Sequence, residues 1–292
     1  MQPIIKWAGG KRRFSRQIAE LLGNNFNNYY EPFVGGAAIL LYMEPHNAQC
    51  SDINEELINL YNVVKNDPEG LITELRPYVN MNNSANYLTI RGLDRVPVLF
   101  NALTPVQKAA RFMYLNHTCF NGIWRVNRNG QNNVPFGRYV NPKILSEDEI
   151  RQASQLFNAN NISFEVNDYR VVANRAQAGD VVYFDPPYDV EEGQNGFVGY
   201  TAGGFNRDNQ RELKELCDEL IRRGVTVGIS NSNTKFIREL YSDDPYHFYQ
   251  LHDELRVRRT IGAKNESRRE MTELFILGRL PEWKNYYLKQ IT

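Results

Sequence analysis

The chain has 292 residues, 42% of them apolar, and its 34 lysines and arginines balance 34 aspartates and glutamates. That length supports one large domain, or one domain with a substantial insertion, around a well-filled core. No apolar run approaches the roughly 20 residues that cross a bilayer. Met1-Gln2-Pro3-Ile4-Ile5-Lys6 lacks the apolar stretch of a secretory signal, so a cytoplasmic protein with no membrane partner is expected. Cys50, Cys119 and Cys217 are odd in number and form no Cys-x-x-Cys pair, and the four histidines are scattered. Neither a disulfide framework nor a metal site is expected.

In chain order, a loop at Lys6-Trp7-Ala8-Gly9-Gly10-Lys11 precedes a helix from about Phe14 to Leu22. Tyr29-Tyr30-Glu31-Pro32-Phe33 reads as a strand that runs into Val34-Gly35-Gly36-Ala37-Ala38, where a helix begins. Strand, glycine turn and helix form the ligand-binding corner of an α/β sheet. Ala48 to Asp52 is a second strand, and Ile53 to Lys65 has helical apolar spacing through Leu57, Leu60, Tyr61 and Val64. Asp52 thus ends a strand at the distance from the glycine turn where an acidic residue grips a ribose diol. It could equally cap the helix that follows.

After Asp67-Pro68 the pattern changes to short helices and loops as far as residue 145. The α/β pattern resumes with a helix near Glu147–Phe157 and strands at Ile162–Val166 and Val181–Phe184. A helix at Asn209–Arg223, a strand at Val225–Ser230 and strands at Tyr246–Leu251 and Glu273–Leu277 follow. Asp189 to Phe205, with five glycines, reads as a flap.

The neutral total hides an asymmetry. From Arg95 to Ser146 there is no acid in 52 residues, although 34 acids in 292 would place about six there. Arg95, Lys108, Arg111, Arg125, Arg128, Arg138 and Lys143 fall in the same window. Basic clusters also occur at Lys11-Arg12-Arg13 with Arg16, and from Arg256 to Arg269. Local basic patches on a neutral chain suit a polyanion groove, against the alternative of ordinary solvated surface.

Asp185-Pro186-Pro187-Tyr188 follows the apolar run Val181-Val182-Tyr183-Phe184. Such a tetrapeptide is a stiff way to leave a strand. It is also a site for a flat amine. The Asp185 carboxylate and the Pro186 carbonyl accept hydrogen bonds, the Tyr188 ring offers a π-surface, and neither Pro186 nor Pro187 has an N–H to compete.

Four separated segments now carry a resemblance: Lys6 to Lys11, Glu31-Pro32-Phe33-Val34-Gly35-Gly36, Asn133-Val134-Pro135-Phe136-Gly137-Arg138-Tyr139, and Asp185 to Tyr188. In this order, and over nearly the whole chain, they resemble the Dam-type, or alpha-group, DNA adenine-N6 methyltransferases. One departure is Ala37, where relatives often have a third glycine. The resemblance implies a Rossmann-like α/β methyltransferase sheet from residues 1–66 and 146–292. A mostly helical target-recognition domain, 67–145, would be inserted into it. The implied reaction moves a methyl group from S-adenosyl-L-methionine to adenine N6 in duplex DNA, by base flipping, at GATC or a GATC-like site. No obligate protein partner is implied, and the sequence leaves open whether the enzyme guards against a cognate restriction endonuclease, marks strands for repair or belongs to a phage.

The resemblance implies roles by position. Asp185, Pro186, Pro187 and Tyr188 would be catalytic. Trp7, Lys11, Phe33, Gly35, Asp52, Tyr169 and Asp185 would bind the cofactor, with Lys11 on its carboxylate, Asp52 on its ribose and Tyr169 over its adenine. Lys6, Phe120, Asn121, Arg125, Pro135 and Arg138 would contact DNA, Arg125 reading guanine and Phe120 wedging into the stack. Trp7 alone could be ordinary core. Three other functions are weighed. A nicotinamide oxidoreductase lacks its Gly-x-Gly-x-x-Gly here, a non-catalytic DNA-binding protein leaves Asp185 to Tyr188 and Asp52 unexplained, and an RNA adenine methyltransferase shares the chemistry.

Overall fold

A computed structural model describes residues 1–191, 205–253 and 273–281. The expected flap and the basic run from Arg256 to Arg269 fall largely or wholly outside these residues. Among the described residues seven strands form one sheet: β1 Tyr29–Glu31, β2 Ala48–Asp52, β3 Ile162–Val166, β4 Val181–Phe184, β5 Thr226–Ser232, β6 Tyr249–His252 and β7 Glu273–Gly278. Their order is β3-β2-β1-β4-β5-β7-β6, parallel throughout except for β7, which runs antiparallel to both neighbours. The chain is therefore α/β with a mostly parallel, Rossmann-like sheet.

Side chains alternate along each strand, so the two faces collect different sets. Tyr29, Cys50, Phe164, Val181, Tyr183, Phe275 and Leu277 enter one core. Tyr30, Val182, Phe184, Val227, Ile229, Leu274 and Ile276 enter the other. Among the described residues ten α-helices accompany the sheet: α1 Ser15–Leu22, α2 Ala38–Met43, α3 Glu55–Asn66, α4 Pro68–Leu75, α5 Ser84–Gly92, α6 Pro97–Ala102, α7 Pro105–Thr118, α8 Glu147–Ala159, α9 Arg207–Arg222 and α10 Lys235–Ser242. The first core takes Ile18 of α1, Leu60 of α3, Phe112 of α7 and Phe157 of α8, and the second takes Leu213 and Leu220 of α9 and Ile237 of α10. The helices between residues 67 and 145 share the first core, because Leu71, Leu75, Tyr87 and Phe112 are all fully buried in it.

Element ends differ from the sequence reading for local reasons. β1 stops at Glu31 because Pro32 has no N–H for the ladder. α2 starts at Ala38, since Gly35 and Ala37 have φ of 43° and 55° and cannot belong to a right-handed helix. Alanine at a left-handed position explains why a third glycine suits this turn. Asn54, not Asp52, caps α3 by accepting from the Leu57 N–H at 3.2 Å. β6 begins late because the Asp244 carboxylate gathers the N–H groups of Tyr246, Phe248 and Tyr249 into a turn. α10 was not expected. Thr234 caps it, and Ile237 and Tyr241 are its buried side chains.

Candidate functional site

The strand order reverses direction between β1 and β4, which opens a crevice at the carboxyl ends of the parallel strands. Glu31, Asp52 and Asp185 lie at or just beyond the ends of β1, β2 and β4 respectively, so three carboxylates meet this edge of the sheet. Freed from capping, Asp52 accepts the N–H of Gly35 at 3.2 Å through one oxygen and that of Asn54 at 3.0 Å through the other. Burial pushes its carboxyl up to about 6, against the pull of these N–H groups. The glycine turn is thereby tied to the end of β2.

Trp7 closes the other side of that turn. A Cβ at Gly35 would stand 2.6 Å from Trp7 Nε1, so only glycine lets the indole lie on the backbone here. The indole also stacks on Phe112, with centroids 6.5 Å apart. Trp7 thus joins the core and the glycine turn at once. Behind the turn, Tyr61 Oη donates to the Gly35 carbonyl at 2.7 Å. Glu31, quoted in the motif but given no role from sequence, is buried and accepts from Tyr29 Oη at 2.8 Å and the Leu40 N–H at 3.1 Å. Burial raises its carboxyl to about 8.

Lys11 is only 2% exposed. Its ammonium stands 3.0 Å from Asp185 Oδ1 and 4.7 Å from the centre of the Tyr188 ring, and it donates to the Gly9 carbonyl. A nitrogen cation is therefore seated between the carboxylate and the ring of the tetrapeptide. Burial raises the Asp185 carboxyl above its ordinary range, and the charge of Lys11 opposes this. Gln210 donates to the Pro187 carbonyl at 2.9 Å, whereas no described residue donates to the Pro186 carbonyl.

Phe33 and Tyr169, both expected at the cofactor, come together and stack on each other with centroids 5.3 Å apart. Arg170 lies over the Tyr169 ring at 4.8 Å, and Phe205 meets both aromatic rings edge-on. Stacked in this way, Phe33 and Tyr169 are not parted around a third ring.

The residues assigned to DNA form a second group next to the first motif. Asn116, fully buried at the end of α7, accepts from the Lys6 N–H at 2.9 Å and donates to the carbonyls of Lys6 and Gly122. It joins the N-terminal loop to the segment that starts at Phe120. At Gly122, φ is 62° and a Cβ would meet the Lys6 side chain at 2.3 Å, so glycine is required where the two strands of backbone cross. The Lys6 ammonium lies 4.1 Å over the Tyr139 ring, and partial burial lowers its pKa. Phe120 is half exposed, and Asn121, Arg125, Pro135 and Arg138 are exposed. The Phe120 N–H donates to the Pro135 carbonyl at 2.9 Å, and Arg125 Nε donates to Asn133 Oδ1 at 2.7 Å.

The acid-free window is less of a polyanion surface than its sequence implies. Arg111 is fully buried and pairs with Glu56 at 2.9 Å and Asp94 at 2.8 Å. Arg95 also pairs with Asp94, at 2.6 Å, and Lys143 pairs with Glu149 at 2.8 Å. Asp94 lies one residue before the window, and Glu56 and Glu149 lie outside it, so the compensating charges are hidden from a linear count. Arg128 and Arg138 are exposed with no ion pair among the described residues. No cluster of potential metal ligands occurs among the described residues either.

The chain as a whole is similar to proteins of one family. The model of the D12 class N6 adenine-specific DNA methyltransferases matches residues 7–259. The type II methyltransferase M1.LlaDCHI of Lactococcus lactis subsp. cremoris is 38% identical over 276 residues, covering 94% of this chain and 95% of that one. The type II methyltransferase M.MjaIII of Methanocaldococcus jannaschii is 38% identical over 82% of this chain and 88% of its own. The DNA adenine methylase of Haemophilus influenzae is 32% identical over 94% of this chain and 93% of its own. The chain belongs to the D12 class of N6 adenine-specific DNA methyltransferases.

Proposed function

We propose that this enzyme takes its methyl group from S-adenosylmethionine and delivers it to an adenine flipped out of duplex DNA at GATC or a GATC-like sequence. The observation that carries this reading is the seat of Lys11. One ammonium already rests between the Asp185 carboxylate and the Tyr188 ring, the two surfaces that an aromatic amine needs.

Adenine N6 is a weak nucleophile because its lone pair is delocalised into the ring. In the proposed mechanism Asp185 and the Pro186 carbonyl accept its two N–H groups, which favours a pyramidal nitrogen with an available lone pair. That geometry belongs to the transition state more than to the planar ground state. Tyr188 holds the extruded base on its face. As N6 takes the methyl group the S–CH3 bond of the sulfonium would break, its electron pair staying on the sulfur as a neutral thioether, and the Asp185 carboxylate would accept the proton that N6 gives up.

The donor set fits the methyl donor. S-adenosylmethionine supplies an electrophilic methyl group on a sulfonium. Asp52 would take the ribose hydroxyls, Lys11 the amino-acid carboxylate, and the cluster of Phe33 and Tyr169 the adenine, with Trp7 and Gly35 shaping the floor. For Lys11 to serve both partners, its ammonium moves from Asp185 toward the cofactor as the target amine arrives. We assign residues 67–145 to target recognition, with Phe120 as the wedge, Asn121 and Arg125 as base readers, Lys6 and Pro135 at the flank and Arg138 on phosphate. Two relatives carry type II names, which supports a cognate restriction endonuclease as companion, and a substrate of chromosomal DNA would place the enzyme in the cytoplasm. Mapping every modified adenine in unmethylated genomic DNA treated with the enzyme tests the site assignment. Methylation confined to GATC, or to one motif containing it, is expected, and adenines without a common sequence would defeat it.

A further inference from the structure

Tyr188 sits between two peptide groups, and both are held by the same pair of buried amides. The Pro187 carbonyl, in the peptide before Tyr188, accepts from Gln210 Nε2 at 2.9 Å. The Asp189 N–H, in the peptide after it, donates to Asn231 Oδ1 at 3.2 Å. The two amides are bonded to each other, Asn231 Nδ2 donating to Gln210 Oε1 at 3.0 Å. Gln210 is 1% exposed and Asn231 is fully buried. The far side of the clamp is anchored as well, because Ser232 Oγ donates to the Asp189 carbonyl at 2.6 Å and Thr234 Oγ1 to its carboxylate at 2.7 Å.

Neither amide is near enough in sequence to shape this turn by itself; Gln210 comes from α9 and Asn231 from β5. Buried amides in ordinary core are rare unless every polar atom is satisfied, and here the satisfaction runs through the backbone on either side of one aromatic residue. Fixing both flanking peptides fixes φ and ψ of Tyr188, and hence the direction of the Cα–Cβ bond that carries its ring. Occupying the Pro187 carbonyl from behind also leaves the Pro186 carbonyl as the acceptor of the pair that faces no internal donor.

We infer that Gln210 and Asn231 are positioning residues that set the Tyr188 ring for the target base, acting through the backbone and touching neither reactant. This rests on the reading that Tyr188 holds the flipped adenine. Both residues act on the bound base, so the effect falls on turnover more than on binding of the methyl donor.

The test is a double-mutant cycle between Gln210→Met and Tyr188→Ala, with kcat, KM for S-adenosylmethionine and thermal midpoint measured for each. Gln210→Met keeps the volume and removes both side-chain bonds. It is expected to lower kcat by roughly 10- to 100-fold, while KM for S-adenosylmethionine changes by less than about threefold. In the Tyr188→Ala background the same change should cost little more. If Gln210→Met costs as much there as in the wild type, positioning through Tyr188 is wrong although Tyr188 itself still matters. If Tyr188→Ala is fully active, the reading of Tyr188 and the inference both fall. Asn231→Asp serves where Gln210→Met does not fold. It keeps an acceptor for the Asp189 N–H but turns the Gln210 amide toward the new carboxylate, so Pro187 loses its donor. A loss of kcat with retained cofactor binding supports the clamp, and unchanged kcat overturns it.

Discussion

The Lys11 ammonium lies 3.0 Å from Asp185 Oδ1 with the centre of the Tyr188 ring 4.7 Å away, so the cation and the tetrapeptide hold each other. Burial alone would drive Asp185 toward its neutral form, and Lys11 is what opposes this. Lys11→Met therefore raises the pKa of Asp185 further. Since the ionised form is needed to accept from the target amine, the acid limb of kcat/KM for DNA should move to higher pH. The loss relative to wild type is then larger at pH 6 than at pH 8.5. An acid limb that does not move would separate Lys11 from the ionisation of Asp185.

Glu31 makes a prediction about stability. Its carboxyl is raised to about 8 by burial, well above its value in the unfolded chain, so the folded state binds the extra proton. The favourable contribution is complete below about pH 4.5 and is lost as pH rises toward about 8. Glu31→Gln keeps an oxygen for Tyr29 and Leu40 and removes the titration. Relative to wild type it should gain stability between pH 5 and pH 9 by roughly 2–5 kcal/mol. Urea unfolding at both pH values measures this, and parallel pH dependence in the two proteins would contradict it.

At Gly35, alanine would place its Cβ 2.6 Å from the Trp7 indole and would have to adopt a φ of 43°. Gly35→Ala should cost about 1–3 kcal/mol of stability and weaken binding of S-adenosylmethionine, since both Trp7 and the Asp52 contact would shift. Equilibrium dialysis and intrinsic tryptophan fluorescence report the two effects. Unaltered affinity would remove the glycine turn from the cofactor site.

The arginines of the acid-free window should divide into two classes. Arg111→Ala leaves Glu56 and Asp94 without their buried partner and should destabilise by about 3–5 kcal/mol. Arg128→Ala and Arg138→Ala should leave the thermal midpoint in place and each reduce the salt dependence of DNA binding by about 0.9 in log–log slope. A reduced slope for Arg111→Ala in folded protein, or none for the other two, would reverse the division.

That division also shows what the sequence could reveal. β3 and β4 were legible to the residue because short β-branched and aromatic runs ended in turn residues, and β2, which has neither residue type, was placed by its position between the glycine turn and the helical spacing after Asp52. The crevice was legible too, since the glycine turn, Asp52 and the tetrapeptide are each local signals. What escaped was non-local. Nothing in the order of residues says that Arg111 meets Glu56, that β7 enters antiparallel between β5 and β6, or that Gln210 and Asn231 reach the peptides beside Tyr188. α10 was missed for another reason. It is only eight residues long and contributes two buried side chains, too little periodicity to stand out.

The central proposal is that Asp185 and Tyr188 present adenine N6 of duplex DNA to a methyl donor. Duplex DNA and RNA of the same sequence are each incubated with tritiated S-adenosylmethionine and either wild-type enzyme or Asp185→Ala, then digested and separated as nucleosides. The wild type should label only N6-methyldeoxyadenosine, and Asp185→Ala should lose activity by roughly 100-fold or more while still binding the duplex. Label in RNA alone, or an Asp185→Ala enzyme as active as the wild type, would contradict it.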